Sequence, residues 1–293
     1  MAPHNELMIR HLAAASTADR VAAARFESLV SIWDLERRER LSTFETVLSY
    51  GGQRLALTPD GTACIAGAFH RHGVACYAAA DGRMRWQRRD IKRVQYITAA
   101  PDGKRVFCGV ASGPCVVLDV ESGETLERWR GVAFVKGSPF SPVYLADGQR
   151  YQIRGDPDVI VSGVPRETQL LDAAFSPDAF CIAEFRASLR AFDVLTCKER
   201  WRYQPPLSHH LLDLAYRPSD ECFLGVQRDC TTKALFELWR WSASTGDATR
   251  VTTLPESATF AFCRRGETLL ASDGQMIDTR TGLVDYHLPL DQA

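Results

Sequence analysis

The sequence has no excess of charge of either sign. Its 35 Lys and Arg residues balance 36 Asp and Glu residues, which leaves a formal net charge of −1. A protein dedicated to nucleic-acid binding depends on many uncompensated basic residues, so this balance argues against that class. Lysine is also scarce, because arginine carries most of the basic charge. We therefore expect no bulk charge preference for a partner.

A secretory or membrane-spanning start is missing too. The first residues, MAPHNELMIRHLAAAS, include His, Asn and Glu and contain no continuous apolar core. Signal peptides and transmembrane helices both require such a core. The sequence therefore predicts a cytoplasmic protein without membrane contact.

Local motifs for zinc sites and for common active sites are absent. The nine cysteines include no CxxC pair, although a structural zinc site needs ligands at such short spacings. Cys64, Cys108 and Cys181 lie instead in apolar segments, where cysteine acts as a small hydrophobic residue, so we predict reduced and buried thiols. No GxSxG, HExxH, P-loop or Rossmann glycine pattern occurs. We predict no cofactor, no metal and no catalytic residue, although a site assembled from distant loops would leave no such motif.

What the sequence does contain is a repeated unit. The segment TPDG at residues 58–61 is followed by ACIAGA, VACYAAADG and RMRWQ, and the segment APDG at residues 100–103 by RVFCGV, CVVLDVESG and ETLERW. The two prolines, Pro59 and Pro101, are 42 residues apart, which is the period of a four-stranded propeller blade. In each turn Pro presets the first position, Asp caps locally and Gly accepts a positive φ.

Five further units align with this pair. Apolar residues alternate within their segments, and turn residues recur every eight to twelve positions, as is typical of short antiparallel strands. We predict an all-β fold, a seven-bladed β-propeller of four-stranded antiparallel blades in a single domain over residues 1–293. We expect the ring to close by packing of the first blade on the last; an N-terminal strand that completes the last blade is the alternative. The predicted blades cover residues 5–47, 48–91, 92–132, 133–166, 167–207, 208–255 and 256–293.

An aromatic residue follows the second turn of several units. Because these positions are equivalent and rings pack well against rings and apolar side chains, we predict that they pack between blades. The turn and ring positions are Gly82 and Trp86, Cys197 and Trp201, Gly282 and Tyr286 and, with a longer spacing, Gly123 and Trp129.

Three short motifs carry a family resemblance. The Pro-Asp-Gly turn, the Asp-x-x-Ser-Gly turn in DVESG and the run Ile32-Trp33-Asp34 together resemble WD-repeat and related YVTN or quinoprotein-like propellers over nearly the whole chain. The resemblance implies a platform for protein contacts. The chain departs from it in lacking a Gly-His dipeptide before the units and the cofactor-stacking Trp and vicinal Cys pair of quinoprotein dehydrogenases. We therefore expect blade packing to depend more on apolar contacts than on the hydrogen-bond network of typical WD blades.

Binding residues are expected on the face where the loops after strands two and four gather around the central channel. Arginine side chains there suit an acidic protein segment or a phosphate, whereas solvated loop ends are the alternative. Two histidine pairs could ligate a metal, but neither has an accompanying carboxylate. Asp147 and Asp273 take the equivalent position in two units. The predicted partner-binding residues are Arg25, Phe26, His70, Arg71, His72, Arg186, Tyr203, His209, His210 and Arg228.

Two other stretches are further candidates. A basic run favours protection of an edge strand, with docking of an acidic partner as the alternative. An aromatic segment in the sixth unit is either a buried strand or a partner site. The basic run contains Arg83, Arg85, Arg88, Arg89, Lys92 and Arg93, and the aromatic segment contains Phe236, Trp239 and Trp241.

Together these features predict a non-catalytic interaction scaffold. We expect a cytoplasmic monomer that binds another protein, and not nucleic acid or membrane, through the loop face around the channel. A specialised form is a bacterial immunity or inhibitor protein that binds a toxin. The alternative is a propeller enzyme, such as a metal-dependent hydrolase or a lactonase, with a site in the central channel.

Overall fold

The repeated apolar segments fold into strands and little else. Besides the strands, the described residues contain two short 3₁₀ turns, at Pro218–Asp220 and Arg264–Gly266, and no α-helix. The chain is therefore all-β. The computed structural model describes residues 9–25, 28–48, 54–69, 72–111, 113–132, 134–140, 143–147, 151–155, 160–164, 167, 170–184, 188–206, 209–229, 235–257 and 259–290.

The strands form four-stranded antiparallel sheets, in each of which neighbours in the chain are neighbours in the sheet. The first sheet contains β1 (His11–Ala14), β2 (Arg20–Ala24), β3 (Leu29–Asp34) and β4 (Glu39–Glu45). The second contains β5 (Leu55–Leu57), β6 (Ala63–Gly67), β7 (Val74–Ala78) and β8 (Met84–Arg88). The third contains β9 (Val94–Ala99), β10 (Arg105–Val110), β11 (Cys115–Asp119) and β12 (Thr125–Trp129).

Four more sheets follow in the same order. The fourth contains β13 (Phe134–Gly137), β14 (Val143–Asp147), β15 (Tyr151–Gly155) and β16 (Ile160–Val164). The fifth contains β17 (Leu170–Phe175), β18 (Ala179–Glu184), β19 (Leu189–Asp193) and β20 (Glu199–Tyr203). The sixth contains β21 (His209–Arg217), β22 (Cys222–Asp229), β23 (Phe236–Ser242) and β24 (Ala248–Leu254). The seventh contains β25 (Phe260–Cys263), β26 (Thr268–Ala271), β27 (Gln275–Asp278) and β28 (Val284–His287).

The sheets succeed one another around a centre. The first strand of each sheet contacts the first strand of the next, and β25 contacts β1. The arrangement is that of a β-propeller. Six blades of the propeller are recognised, although the structure has seven four-stranded sheets and the sequence predicts seven blades. Because strands alternate in direction, the turns after strands one and three lie on one face and the connections after strands two and four on the other.

The first and last sheets pack directly against each other, and each has four strands of its own, as expected. The Arg25 Nη2 atom donates a buried hydrogen bond of 2.8 Å to the carbonyl oxygen of Leu290. Arg264 donates to the carbonyl oxygen of Leu35 at 3.1 Å. An apolar cluster that includes Trp33 and Leu270 joins the two sheets. Side chains, not a shared strand, therefore hold this junction in the described residues.

Tryptophan side chains connect neighbouring sheets, which confirms the predicted packing role. The indole Nε1 of Trp86 donates to the carbonyl oxygen of Val120 at 2.8 Å, in the next sheet. The ring lies against Gly123, which has a φ of 72°. A side chain there would collide with the ring, so this turn requires glycine both for its backbone and for its surface.

The cysteines serve the apolar interior. Eight cysteines are described as free thiols; Cys197 is partly exposed and the other seven are buried. Burial raises the pKa of Cys76 to about 11 and that of Cys263 to about 12. These thiols therefore stay protonated at neutral pH. Among the described residues, no helix has the length and apolar character needed to span a bilayer.

Candidate functional site

The innermost strands enclose a cavity of about 450 Å³. Residues from the first strand of every sheet, or from the residues beside it, line this cavity. The first strands all run in the same direction through the molecule. They start at the face where the fourth strand of one sheet connects to the first strand of the next (the four-to-one connections), and they end at the face where the first strand turns into the second (the one-to-two turns). The residues at these two ends of the cavity, and in its middle, differ in chemistry.

The end at the four-to-one connections is basic. His11, at the start of β1, and Arg54, just before β5, both line it. Burial first, and then the charges of Arg54 and Arg10, lower the pKa of His11 to about 4. The imidazole is therefore neutral at physiological pH. Arg54 is 6% exposed, and its guanidinium lies 5.3 Å from the centre of the Phe69 ring.

In the middle of the cavity lie a lysine and an aspartate, and a second, buried aspartate lies behind them; the three come from consecutive sheets. Lys136 Nζ on β13 lies 3.1 Å from Asp172 Oδ1 on β17. The other oxygen of Asp172 accepts a hydrogen bond of 2.8 Å from the backbone N–H of Leu214 on β21. Asp172 is 2% exposed, so this carboxyl is a buried connection between the sheets.

Asp213, on β21, faces the cavity beside this connection. Burial is the main cause that raises its pKa well above the usual range, followed by the charge of Asp172. Burial therefore favours the protonated form of Asp213, beside the pair of Lys136 and Asp172.

The end at the one-to-two turns is largely apolar. Pro59, Pro101 and Phe140 line it. The Phe140 ring is 39% exposed and packs edge-on against Tyr216, with 5.6 Å between the ring centres. Arg265 lines the same end and is exposed.

Four of the predicted partner-binding residues lie together at the loop edge of sheets five and six. His209 and His210 begin β21, where they pair with Asp229 and Arg228 at the end of β22. Arg228 is exposed, and its guanidinium lies 5.6 Å from the centre of the Phe236 ring. Tyr203 ends β20 in the adjacent sheet.

Two exposed leucines belong to the same region. Leu235, just before β23, is 47% exposed, and its carbonyl oxygen accepts a hydrogen bond of 2.9 Å from the N–H of Asp229. Leu212, in β21 two residues after His210, is 38% exposed. We use "edge surface" for the group His210, Leu212, Arg228 and Leu235.

The aromatic segment of the sixth unit is a blade strand. Trp241 on β23 is fully buried, and Phe236 is 7% exposed. The Tyr203 ring packs 5.5 Å from Trp241 and 6.1 Å from Trp239, measured between ring centres. These rings therefore join sheets five and six, and Tyr203 contributes to that packing.

The remaining predicted residues do not form one group in the described structure. Arg25 is 9% exposed and holds the junction of the first and last sheets. His72 is exposed in the second sheet, and its carbonyl oxygen accepts a hydrogen bond from Gln87. Four predicted residues lie outside the described residues: Phe26, His70, Arg71 and Arg186.

Part of the basic run has a structural role. The Arg88 Nη1 atom donates to the carbonyl oxygen of Gly123 at 2.6 Å, in the next sheet. Arg88 also pairs with Asp90 at 2.8 Å. As for metals, the described residues include no group of three or more His, Cys, Asp or Glu side chains placed to hold an ion.

The sequence interpretation missed the group formed by Lys136, Asp172 and Asp213, although the sequence contains a signal for it. Residues 170–175 read LLDAAF and residues 211–216 read LLDLAY. Each is an apolar first strand with one aspartate at the same position. A charged residue that recurs inside a buried strand costs free energy unless it is paired, so the recurrence itself indicates a paired site.

Comparison with known proteins does not extend these observations. A scan of the sequence against protein-family models gives no match, and neither does a search of the curated proteins.

Proposed function

We propose that the protein is a non-catalytic interaction scaffold, a cytoplasmic monomer that binds another protein through the loop face around its channel. The observation that carries the proposal is the edge surface, where the exposed Leu212 and Leu235 lie beside the exposed Arg228. Arginine and apolar side chains on a rigid support are the usual anchors of protein interfaces. A partner with an apolar patch and a neighbouring carboxylate fits this surface.

We also propose that all seven four-stranded sheets act as blades of one WD-like propeller. Three observations support this count. Each sheet is complete in itself, the first strands contact one another in a closed order, and all seven first strands contribute to the lining of one cavity. A closed ring of this kind gives the loop face a fixed shape.

The specialised form of the proposal is a bacterial immunity or inhibitor protein that binds a toxin. A rigid loop face can cover the active site of an enzyme without any chemistry of its own. If the bound partner is an enzyme, the purified propeller should inhibit it, and substitutions at the edge surface should relieve the inhibition.

The proposal can be tested by affinity capture with matched variants. The test variant combines Leu235→Ser with Arg228→Ala. The control combines Leu195→Ser with Lys198→Ala, since Leu195 is 78% exposed at the turn of the opposite face. We expect the test variant to capture a specific partner from lysate of the source organism about tenfold less well than wild type. Equal capture by the two variants would contradict the proposal.

A second candidate is a propeller enzyme, such as a metal-dependent hydrolase or a lactonase, with its site in the channel. Asp213, which lines the cavity beside the pair of Lys136 and Asp172, favours it, because a carboxyl with a raised pKa is suited to general acid catalysis. Elemental analysis of purified protein and a screen with ester and lactone substrates test it. Stoichiometric calcium or zinc, with turnover that is lost in Asp213→Asn, supports the enzyme; failure of both removes it.

A further inference from the structure

The first strands surround the cavity, which is open at the end where Arg265 and Phe140 are exposed and has the size of a small-molecule site. Ligand pockets in proteins have volumes of roughly 300–1,000 Å³, and the cavity measures about 450 Å³. This volume excludes a folded partner domain and accommodates a molecule of one or two rings.

Cationic side chains dominate its charged lining. Arg54, Lys136 and Arg265 line the cavity, and Asp213 is the only acidic residue among the described lining residues. Burial raises the pKa of Asp213 well above its usual range and so disfavours its charged form. The neighbouring carboxylate, Asp172, is paired with Lys136 at 3.1 Å.

Arg265 supplies a charge for which the described residues provide no acidic partner. It is exposed at the apolar end of the cavity, and its backbone has a φ of 52°. A left-handed conformation is unfavourable at a residue other than glycine. Arg265 adopts this unfavourable conformation, and the conformation places its guanidinium at the open end of the cavity.

The same end offers an apolar wall. The exposed face of Phe140 and the side chains of Pro59 and Pro101 lie at this end. An aromatic or aliphatic body placed against this wall would lie at the same end as Arg265, in a cavity that Lys136 also lines.

We propose that the central channel is a binding site for a small organic anion, one with a carboxylate or similar acid group on a ring-sized apolar body. Arg265 and Lys136 bind the acid group, and Phe140 with the neighbouring prolines binds the body. This inference goes beyond the edge surface and does not depend on it.

Three probes that share one indole ring and differ in charge test the proposal on the full-length protein. They are indole-3-acetate, indole-3-acetamide and tryptamine, followed by ligand-detected NMR and isothermal titration calorimetry. We expect indole-3-acetate to bind at concentrations below about 1 mM, the amide to bind about tenfold more weakly, and tryptamine not to bind.

Two substitutions separate the roles of charge and ring. Arg265→Asn keeps a residue that tolerates a positive φ and should weaken only indole-3-acetate, by about fivefold or more. Phe140→Ala should weaken the acid and the amide alike. Arg93→Asn is the matched control, because Arg93 is also exposed, has a φ of 56° and lies outside the cavity.

Three results would contradict the proposed anion site. Equal binding of the acid and the amide, or equal effects of Arg265→Asn and Arg93→Asn, would overturn the proposal. Absence of binding by indole-3-acetate at about 10 mM would overturn it as well, since even a weak built site is occupied at that concentration.

Discussion

The indole nitrogen of Trp201 donates a hydrogen bond of 3.0 Å to the carbonyl oxygen of Ala243, across the boundary between sheets five and six. Trp86 makes the same bond to Val120 between sheets two and three. In both places the ring lies on the turn glycine of the following sheet, Gly246 in the first case. The repeat therefore specifies the junction between sheets as well as the sheet itself.

The stability of that junction can be measured with two glycine substitutions. Gly246 and Gly131 have φ values of 76° and 70°, but only at Gly246 would an added Cβ collide with a ring, 2.6 Å from Trp201. We expect Gly131→Ala to lower the free energy of unfolding by about 1–2 kcal/mol, from backbone strain alone. Gly246→Ala should cost about 1–3 kcal/mol more. Urea denaturation gives both values, and equal losses would show that the ring contact does not contribute.

Stability should fall in acid because of His11. Its pKa is about 4 in the folded protein and 6.5 ordinarily, so the unfolded chain binds a proton between those values and the folded protein does not. Folding stability therefore decreases as pH falls from 6.5 to about 4, by up to about 3 kcal/mol. His11→Gln should remove this slope. Denaturation curves across this range, with pH 8 as the reference where the imidazole is neutral in both states, test the prediction.

The substitution Asp213→Asn should stabilise the protein at neutral pH. The folded pKa of Asp213 is raised above the unfolded value, so its contribution to stability is full below the unfolded pKa and is lost as pH rises through the folded pKa. Asp213→Asn keeps the shape of the protonated acid and needs no proton. We expect a gain of about 1–2 kcal/mol at pH 7 that disappears below about pH 4.

The corresponding substitution at the neighbouring carboxyl, Asp172→Asn, should destabilise the protein. Asp172→Asn removes the ion pair of Lys136 at 3.1 Å, and breaking a buried pair costs about 3–5 kcal/mol. Thermal unfolding of the two variants should therefore shift in opposite directions at pH 7. Shifts in the same direction would contradict the assignment of the ion pair to Asp172 and of the raised pKa to Asp213.

Thiol labelling should separate Cys197 from the other described cysteines. Burial raises the pKa of Cys222 and Cys263 to about 12, and the thiolate is the reactive form. The ninth cysteine, Cys230, lies outside the described residues and is replaced by serine for this test. In the Cys230→Ser protein we expect no more than one fast-reacting thiol with a disulfide reagent under native conditions, and all eight in denaturant. Rapid labelling of several native thiols would contradict the buried assignment.

Sequence reasoning predicted the sheets because their determinants are local. A Pro-Asp-Gly turn, an alternating strand and a turn glycine each act within a few residues, so the spacing of Pro59 and Pro101 carries the repeat directly. Every four-stranded sheet lies within one of the predicted units. The interfacial position of Trp86 and Trp201 also followed, because equivalent positions in a repeat meet equivalent neighbours.

The candidate site was harder to predict because its determinants are distant in the chain. Lys136, Asp172 and Asp213 come from three units, and only the packing of three first strands brings them together. The role of Arg25 was missed for a similar reason: its partner, Leu290, is 265 residues away. Loop arginines look alike in sequence, and only their surroundings separate an exposed Arg228 from a buried Arg25.

The junction of the first and last sheets has a mechanical consequence. Side-chain contacts hold it, among them the hydrogen bonds of Arg25 and Arg264 to carbonyl oxygens and the ion pair of Arg264 with Asp19, whereas each sheet is held by rows of backbone hydrogen bonds. A tension applied to both ends of the chain would load this junction before any strand is pulled from its neighbours. We expect the first and last sheets to separate first, while the seven sheets stay intact. The apolar surface around Trp33 would then be exposed to water.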